Sequence, residues 1–243
     1  LIILSVAPGL IWLFYYLKKD SHPESNRMII TVFLLGMVVA PVAAFVECLP
    51  ITAGEGGKLS CSLSSLFSTI FPQPLGSLFY FLLTVAFIEE LVKYLVVKFR
   101  VLKHHELDEP LDVLLYMIIA ALGFATVENI FIFFSPDIFN YTSQETFFLA
   151  VFRFFTATFL HALCSGVLGF FMALSFCETK HKKILFYTGF ALAVLLHGLY
   201  NFSIMELGGA LKIAIPSIIL AGLAIFIYFG IKKLKKLKSI CKI

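Results

Sequence analysis

The chain has 243 residues, of which 60% are hydrophobic and only 14% charged, with a mean hydropathy of +0.97. Long uncharged runs recur along its whole length, which excludes a soluble domain and defines an all-α polytopic membrane protein, 1–243 being one integral domain with no soluble module. The formal net charge of +4 reads as a topology signal, which excludes a nucleic-acid partner and leaves the lipid bilayer as the chain's immediate surroundings.

Seven spans are predicted, at 1–17, 28–46, 75–97, 113–134, 146–176, 184–204 and 213–230. Each is close to the roughly 20 residues needed to cross the hydrocarbon, the first being short. The chain begins at Leu1 rather than Met, and its first span runs directly into "LKKD" without a small-residue cleavage site, so it reads as a signal anchor. Between spans 2 and 3 lies a long Gly- and Ser-rich loop, 47–74, whose "LSSLFSTIF" part can lie along the membrane interface. Cys48 and Cys61 share this loop and can pair in an oxidising compartment. Cys164 falls in mid-span as a small apolar residue, and Cys177 and Cys241 fall on the opposite, reducing side. After span 3 the charged loop "VLKHHELDEPLD" presents His104 and His105 to water.

The segments 18–27, 98–112, 178–183 and 231–243 hold fifteen of the nineteen Lys and Arg. The alternate loops 47–74, 135–145 and 205–212 hold only Lys58 and Lys212. The positive-inside rule therefore puts the N-terminus outside and the tail "KKLKKLKSICKI" in the cytoplasm of a cell membrane, as a stop-transfer flank. No internal repeat is evident, so the symmetry of many transporters is missing.

Ionisable residues inside spans carry the functional information, because each is costly in hydrocarbon. They are Glu89, Glu90 and Lys93 in span 3, Glu128 in span 4, Arg153 and His161 in span 5 and His197 in span 6, with Asn129 and Asn201 adding amides. Glu89 and Lys93 are four apart and Glu90 and Lys93 three apart, so both carboxylates can meet the ammonium. Glu89 and Glu90 point about 100° apart and cannot play one role. His197 and Asn201 share a face, as do His161 and Ser165. Arg153 lies near the outer end of its span and is expected to snorkel. At 1.5 Å per residue, His161, Glu128 and His197 lie about 21–24 Å from the cytoplasmic ends of their spans but Glu89 only about 13 Å, a mismatch of about two turns.

Carboxylates and histidines in an apolar cavity can activate water and stabilise an oxyanion, which suits peptide hydrolysis without a covalent nucleophile. Other intramembrane chemistries do not fit. The aspartates, Asp20, Asp108, Asp112 and Asp137, all lie in loops or at span ends, which excludes a membrane aspartyl pair. "HELDE" lacks the second histidine of a zinc helix motif, and "LCSG" departs from a rhomboid-like serine motif. Zinc at His161, His197 and a glutamate stays open, since these are common ligands, but spacing gives it no specific support, so water activation without a metal cofactor is the favoured expectation.

"EELVK" (89–93), "GFATVENI" (123–130), "FLHALCSGVLG" (159–169) and "HGLYN" (197–201), in order on successive spans, resemble the PrsW family of intramembrane proteases, related to the type II CAAX prenyl endopeptidases and bacteriocin-immunity proteins. The resemblance covers 85–205, an expected four-helix catalytic core. It implies that Glu89, Glu90, His161 and His197 are catalytic, Glu89 activating water, and that Lys93, Glu128, Asn129 and Asn201 support them. The E-E-x-x-K spacing, and Ala157 where the prenyl enzymes carry phenylalanine, argue against a prenyl-protein substrate. The resemblance implies instead a membrane-anchored substrate such as a single-span anti-sigma factor. The competing readings are an immunity-like member that binds without cutting and a proton-coupled transporter. The full polar set argues against the first and the missing symmetry against the second.

Overall fold

A computed structural model describes residues 1–20, 24–49, 51–53, 59–102, 104, 107–178 and 180–237, without the side chains of 51–53, 59–62 and 137. His105 and Cys241 lie outside the described residues.

Helix α1 (Ile2–Leu17) leads to α2 (Asn26–Glu47), which starts where the Ser25 side chain accepts a hydrogen bond from the Met28 amide at 3.3 Å. A short hairpin, β1 (Ile51–Ala53) paired antiparallel with β2 (Leu59–Cys61), precedes α3 (Ser62–Ile70). Thus the stretch expected at the interface is helical, with Leu66 and Ile70 exposed. The third long element, Leu75–Arg100, comprises α4 (Leu75–Tyr80), a π-helical turn (Phe81–Ala86) and α5 (Phe87–Arg100).

Helix α6 (Pro110–Phe133) opens on a capping box between Glu109 and Asp112 and on Pro110 in its first turn. The expected fifth span is broken: α7 (Ser143–Phe155) and α8 (Ala157–Cys177) meet at Thr156, whose φ of −116° and ψ of −89° leave the helical region. Helices α9 (Lys182–Glu206) and α10 (Leu211–Leu237) complete the chain. Among the described residues six elements are long and apolar enough to cross a membrane; α1, at 16 residues, is shorter, as its sequence predicts. The fold is a polytopic helical bundle. Cys48 and Cys177 are each disulfide-bonded, the latter against the expectation of a reduced side; the side chain of Cys61 lies outside those described.

The bundle is built around α6. Of its apolar stretch 94% is buried, against 22% to 33% for α2, Leu75–Arg100, α9 and α10, whose remaining faces are apolar and suited to lipid. Between helices in lipid, close packing replaces the hydrophobic effect as the driving force, and small residues permit it. A Cβ on Gly36 of α2 would land on the Ala120 carbonyl of α6, and one on Gly123 of α6 on the Phe33 carbonyl of α2. On the other side, a Cβ on Gly169 of α8 would sit 2.7 Å from the Leu114 Cα of α6. These contacts fix α2, α6 and α8 at near-backbone distance, and the site lies among them.

Gly123→Val and Gly36→Val are therefore expected to lower stability by about 2 kcal/mol or more, since the backbones must separate. Gly222→Val, where the added atoms meet nothing within 4 Å, is expected to leave the melting temperature of the detergent-solubilised protein unchanged. Equal melting temperatures for all three variants would contradict this packing account.

Candidate active site

The site begins at the π turn. Widening one turn rotates the helix that follows relative to a continuous α-helix. Here it carries Glu89, Glu90 and Lys93 to the buried face of α5. Helix α9 packs against the same turn: a Cβ on Gly198, next to His197, would approach Leu82 Cδ2 to 2.6 Å.

Lys93 is fully buried, and its ammonium is met from several sides. Nζ donates to Glu90 Oε1 at 2.9 Å, to Glu89 Oε2 at 3.2 Å and to His161 Nδ1 at 2.8 Å, and it lies 4.3 Å from the centre of the Phe124 ring. Glu90 accepts three hydrogen bonds, from Lys93, from His197 Nδ1 at 2.9 Å and from Ser165 Oγ at 2.7 Å. Ser165 thus donates to a carboxylate already held by Lys93 and His197, and it is not paired with a histidine as an activated serine nucleophile would be.

The two histidines are oriented in the same way from opposite sides. His161 Nε2 is 2.6 Å from Glu128 Oε2, and His197 Nδ1 is 2.9 Å from Glu90 Oε1. A carboxylate accepts only, so these ring nitrogens carry the protons and the tautomers follow from their partners. The remaining nitrogens, His161 Nδ1 and His197 Nε2, keep their lone pairs and stand 3.6 Å and 3.7 Å from Glu89 Oε2. The rings are edge to face, 4.9 Å between centres.

Glu128 is steadied by Arg153 at 3.8 Å. Arg153 Nε donates to Asn129 Oδ1 at 2.6 Å, and Asn129 Nδ2 donates to Thr158 Oγ1 at 3.0 Å. Asn129 therefore ties α6 to α7 and α8. A cavity of about 260 Å³ lies over this cluster, lined by Glu89, Phe124, Glu128, His161 and Asn201 below and by Glu47, Phe131, Ile132 and Arg153 towards a more exposed side. Of the two adjacent glutamates only Glu89 reaches the cavity; Glu90 and Lys93 stand behind it.

The depth mismatch expected for Glu89 disappears. Glu89 is still only about 17 Å from the end of α5, against about 24 Å for His161 from the end of α8. The ends themselves are not level: Val101 and Leu107, in the connection after α5, are buried in the bundle core. With those two residues tucked into the protein, distance from a helix end does not measure depth.

Two lining residues escape the sequence reading. Glu47 is assigned there to the outer loop, but α2 continues through it. Arg153 is expected to snorkel, yet it points into the site. Its signal was available: Arg153, Ala157 and His161 are spaced by four, and all three line the cavity.

Glu89, His161 and His197 each offer one ligand atom within 4.8 Å of the others. One carboxylate and two imidazoles form a common catalytic zinc set. The second contacts fit as well, since metal-binding histidines typically rest their other nitrogen on a carboxylate, as both do here. The Lys93 ammonium, bonded to two of the three donor atoms, would have to give them up and remain on Glu90. With that shift, the donors fit a divalent cation.

A buried carboxylate–histidine centre under a cavity in a membrane bundle is an arrangement able to polarise water within the bilayer, and comparison with known proteins gives the family. A family model described as PrsW family intramembrane metalloprotease matches residues 24–231. The chain is 31% identical to Protease PrsW of Geobacillus kaustophilus over 84% of this chain and 80% of that one. It is 28% identical to Protease PrsW of Oceanobacillus iheyensis (88% and 87% covered) and 25% identical to that of Bacillus subtilis (97% and 94%). No solved structure is significantly similar. The chain belongs to the PrsW protease family and is a multi-pass bacterial membrane peptidase.

Because Ser165 only donates to Glu90, Ser165→Ala is expected to keep peptidase activity within about tenfold of wild type while losing about 1–2 kcal/mol of stability. An activity loss as complete as that of a nucleophile knockout would reinstate a serine mechanism.

Proposed function

We propose that this peptidase hydrolyses a bond in or beside the membrane span of a membrane-anchored protein, of the kind represented by a single-span anti-sigma factor. The reaction centre is Glu89 with His161 and His197, set in a catalytic core of residues 85–205, with the N-terminus outside and the basic tail in the cytoplasm. The observation that carries the reading is that two carboxylates turn both imidazole lone pairs towards Glu89, the one of the two adjacent glutamates that reaches the cavity.

A water molecule on the cavity floor yields its proton to the Glu89 carboxylate as its oxygen attacks the scissile carbonyl carbon. The same carboxylate returns the proton to the departing nitrogen as the C–N bond breaks. The Asn201 amide, in the cavity wall, supplies an N–H donor for the developing oxyanion. This duty passes to Asn201 because both histidines spend their protons on carboxylates. Glu90 and Glu128 position the rings, and Lys93 holds Glu89 and Glu90 together. Glu89 Oε2, His161 Nδ1 and His197 Nε2 would hold a zinc ion, leaving Glu89 Oε1 as the proton acceptor, and the ion would supply Lewis-acid polarisation and lower the pKa of its water. The match of the donors and their carboxylate partners supports zinc over the metal-free expectation.

The test is cleavage of a panel of single-span, anti-sigma-like segments by purified protein, together with its metal content. Wild type is expected to cleave, to hold about one zinc per chain and to be inhibited by 1,10-phenanthroline. Glu89→Gln is expected to lose about 10³-fold or more in rate. His161→Ala and His197→Ala are expected to lose both zinc and activity. Cleavage that survives Glu89→Gln would refute the assignment; metal-free protein with full activity would refute zinc alone.

A further inference from the structure

Glu47 is the carboxylate of this site that the chemistry above does not use. It closes α2 and stands in the cavity wall, and its Oε1 is buried with no hydrogen-bond partner. The other carboxylates are matched: Glu89 to Lys93, Glu90 to Lys93, His197 and Ser165, and Glu128 to His161 and Arg153. Arg153, the one cation in the lining, is already committed to Asn129 and Glu128. A buried carboxylate oxygen without a donor is unfavourable, and native structures seldom retain one without reason. The rest of the wall on this side is apolar, from Ala40, Ala44, Phe131 and Ile132. An apolar wall with one unmatched carboxylate suits a long alkyl stem with a cationic head.

We propose that Glu47 is a specificity residue: it accepts the ammonium or guanidinium of a Lys or Arg that the substrate segment carries beside its scissile bond. The inference rests on the peptidase reading above and names what the cavity selects. Glu47 has no part in the proton transfers above, so its effect is on which segment binds.

The experiment measures binding, which separates it from hydrolysis. Synthetic single-span peptides with a Leu/Ala core carry either Lys or Met at successive positions through one half of the span. Their affinities are measured by fluorescence for the full-length protein in nanodiscs, in the Glu89→Gln background to prevent turnover. At one or two adjacent positions Lys is expected to bind about tenfold tighter than Met. Adding Glu47→Gln should bring that ratio to about one, Glu47→Asp should restore part of it, and Glu47→Lys should invert it. A ratio near one at every position, a preference that survives Glu47→Gln, or no peptide binding at all overturns the proposal. Equal weakening of Lys and Met peptides by Glu47→Gln also overturns it, since that marks a structural role. If the discrimination is found but wild type cleaves none of the bound peptides, hydrolysis fails while the subsite stands.

Discussion

An ammonium group buried in a helix that crosses a membrane must be compensated within the protein, and Lys93 is fully buried. Its three donors are taken by Glu90, Glu89 and His161, and an aromatic face, Phe124, covers the remaining side. Those partners come from α5, α6 and α8. Through Glu90 the same network reaches His197 on α9, and through His161 it reaches Glu128 on α6. Charge compensation thus assembles the four helices that hold the chemistry. Loss of any one partner leaves another buried charge or polar group unmatched.

Geometry makes that compensation possible. Glycines bring α2 and α8 to near-backbone distance from α6, the π turn rotates α5, and Gly198 lets α9 close upon that turn. The result separates two adjacent glutamates into two roles. Glu90 accepts three hydrogen bonds and orients a histidine; Glu89 accepts from Lys93 and faces the cavity. One residue of sequence separation becomes the difference between a carboxylate that faces the cavity and one enclosed behind it.

Much of this was legible in the sequence because charge is so rare in it. Membrane spans follow from apolar length, and ionisable residues within them stand out without any structure. Lys93 meeting both glutamates follows from helical spacing. What was not legible depends on departures from regular helices or on contacts between them. The π turn, the break at Thr156 and the burial of Val101 and Leu107 after α5 have no simple sequence signature, and the last of these is why Glu89 looked too shallow. Glu47 was hidden by an uncertain helix end, and Arg153 by the reasonable expectation that a long cation near a span end reaches for water. The pairing of each histidine with a carboxylate on another helix, which brings zinc forward, is purely tertiary.

The most direct test of the central constraint compares Lys93→Met with Lys93→Met/Glu90→Gln by thermal and denaturant unfolding of the detergent-solubilised protein. If the buried ammonium organises the site, Lys93→Met alone loses about 3–5 kcal/mol, because it strands ionised carboxylates in the interior. Neutralising Glu90 as well should then recover a substantial part of that loss, so that the double variant is more stable than the single one. A Lys93→Met protein as stable as wild type, or a double variant that merely adds a second loss to the first, would contradict the account.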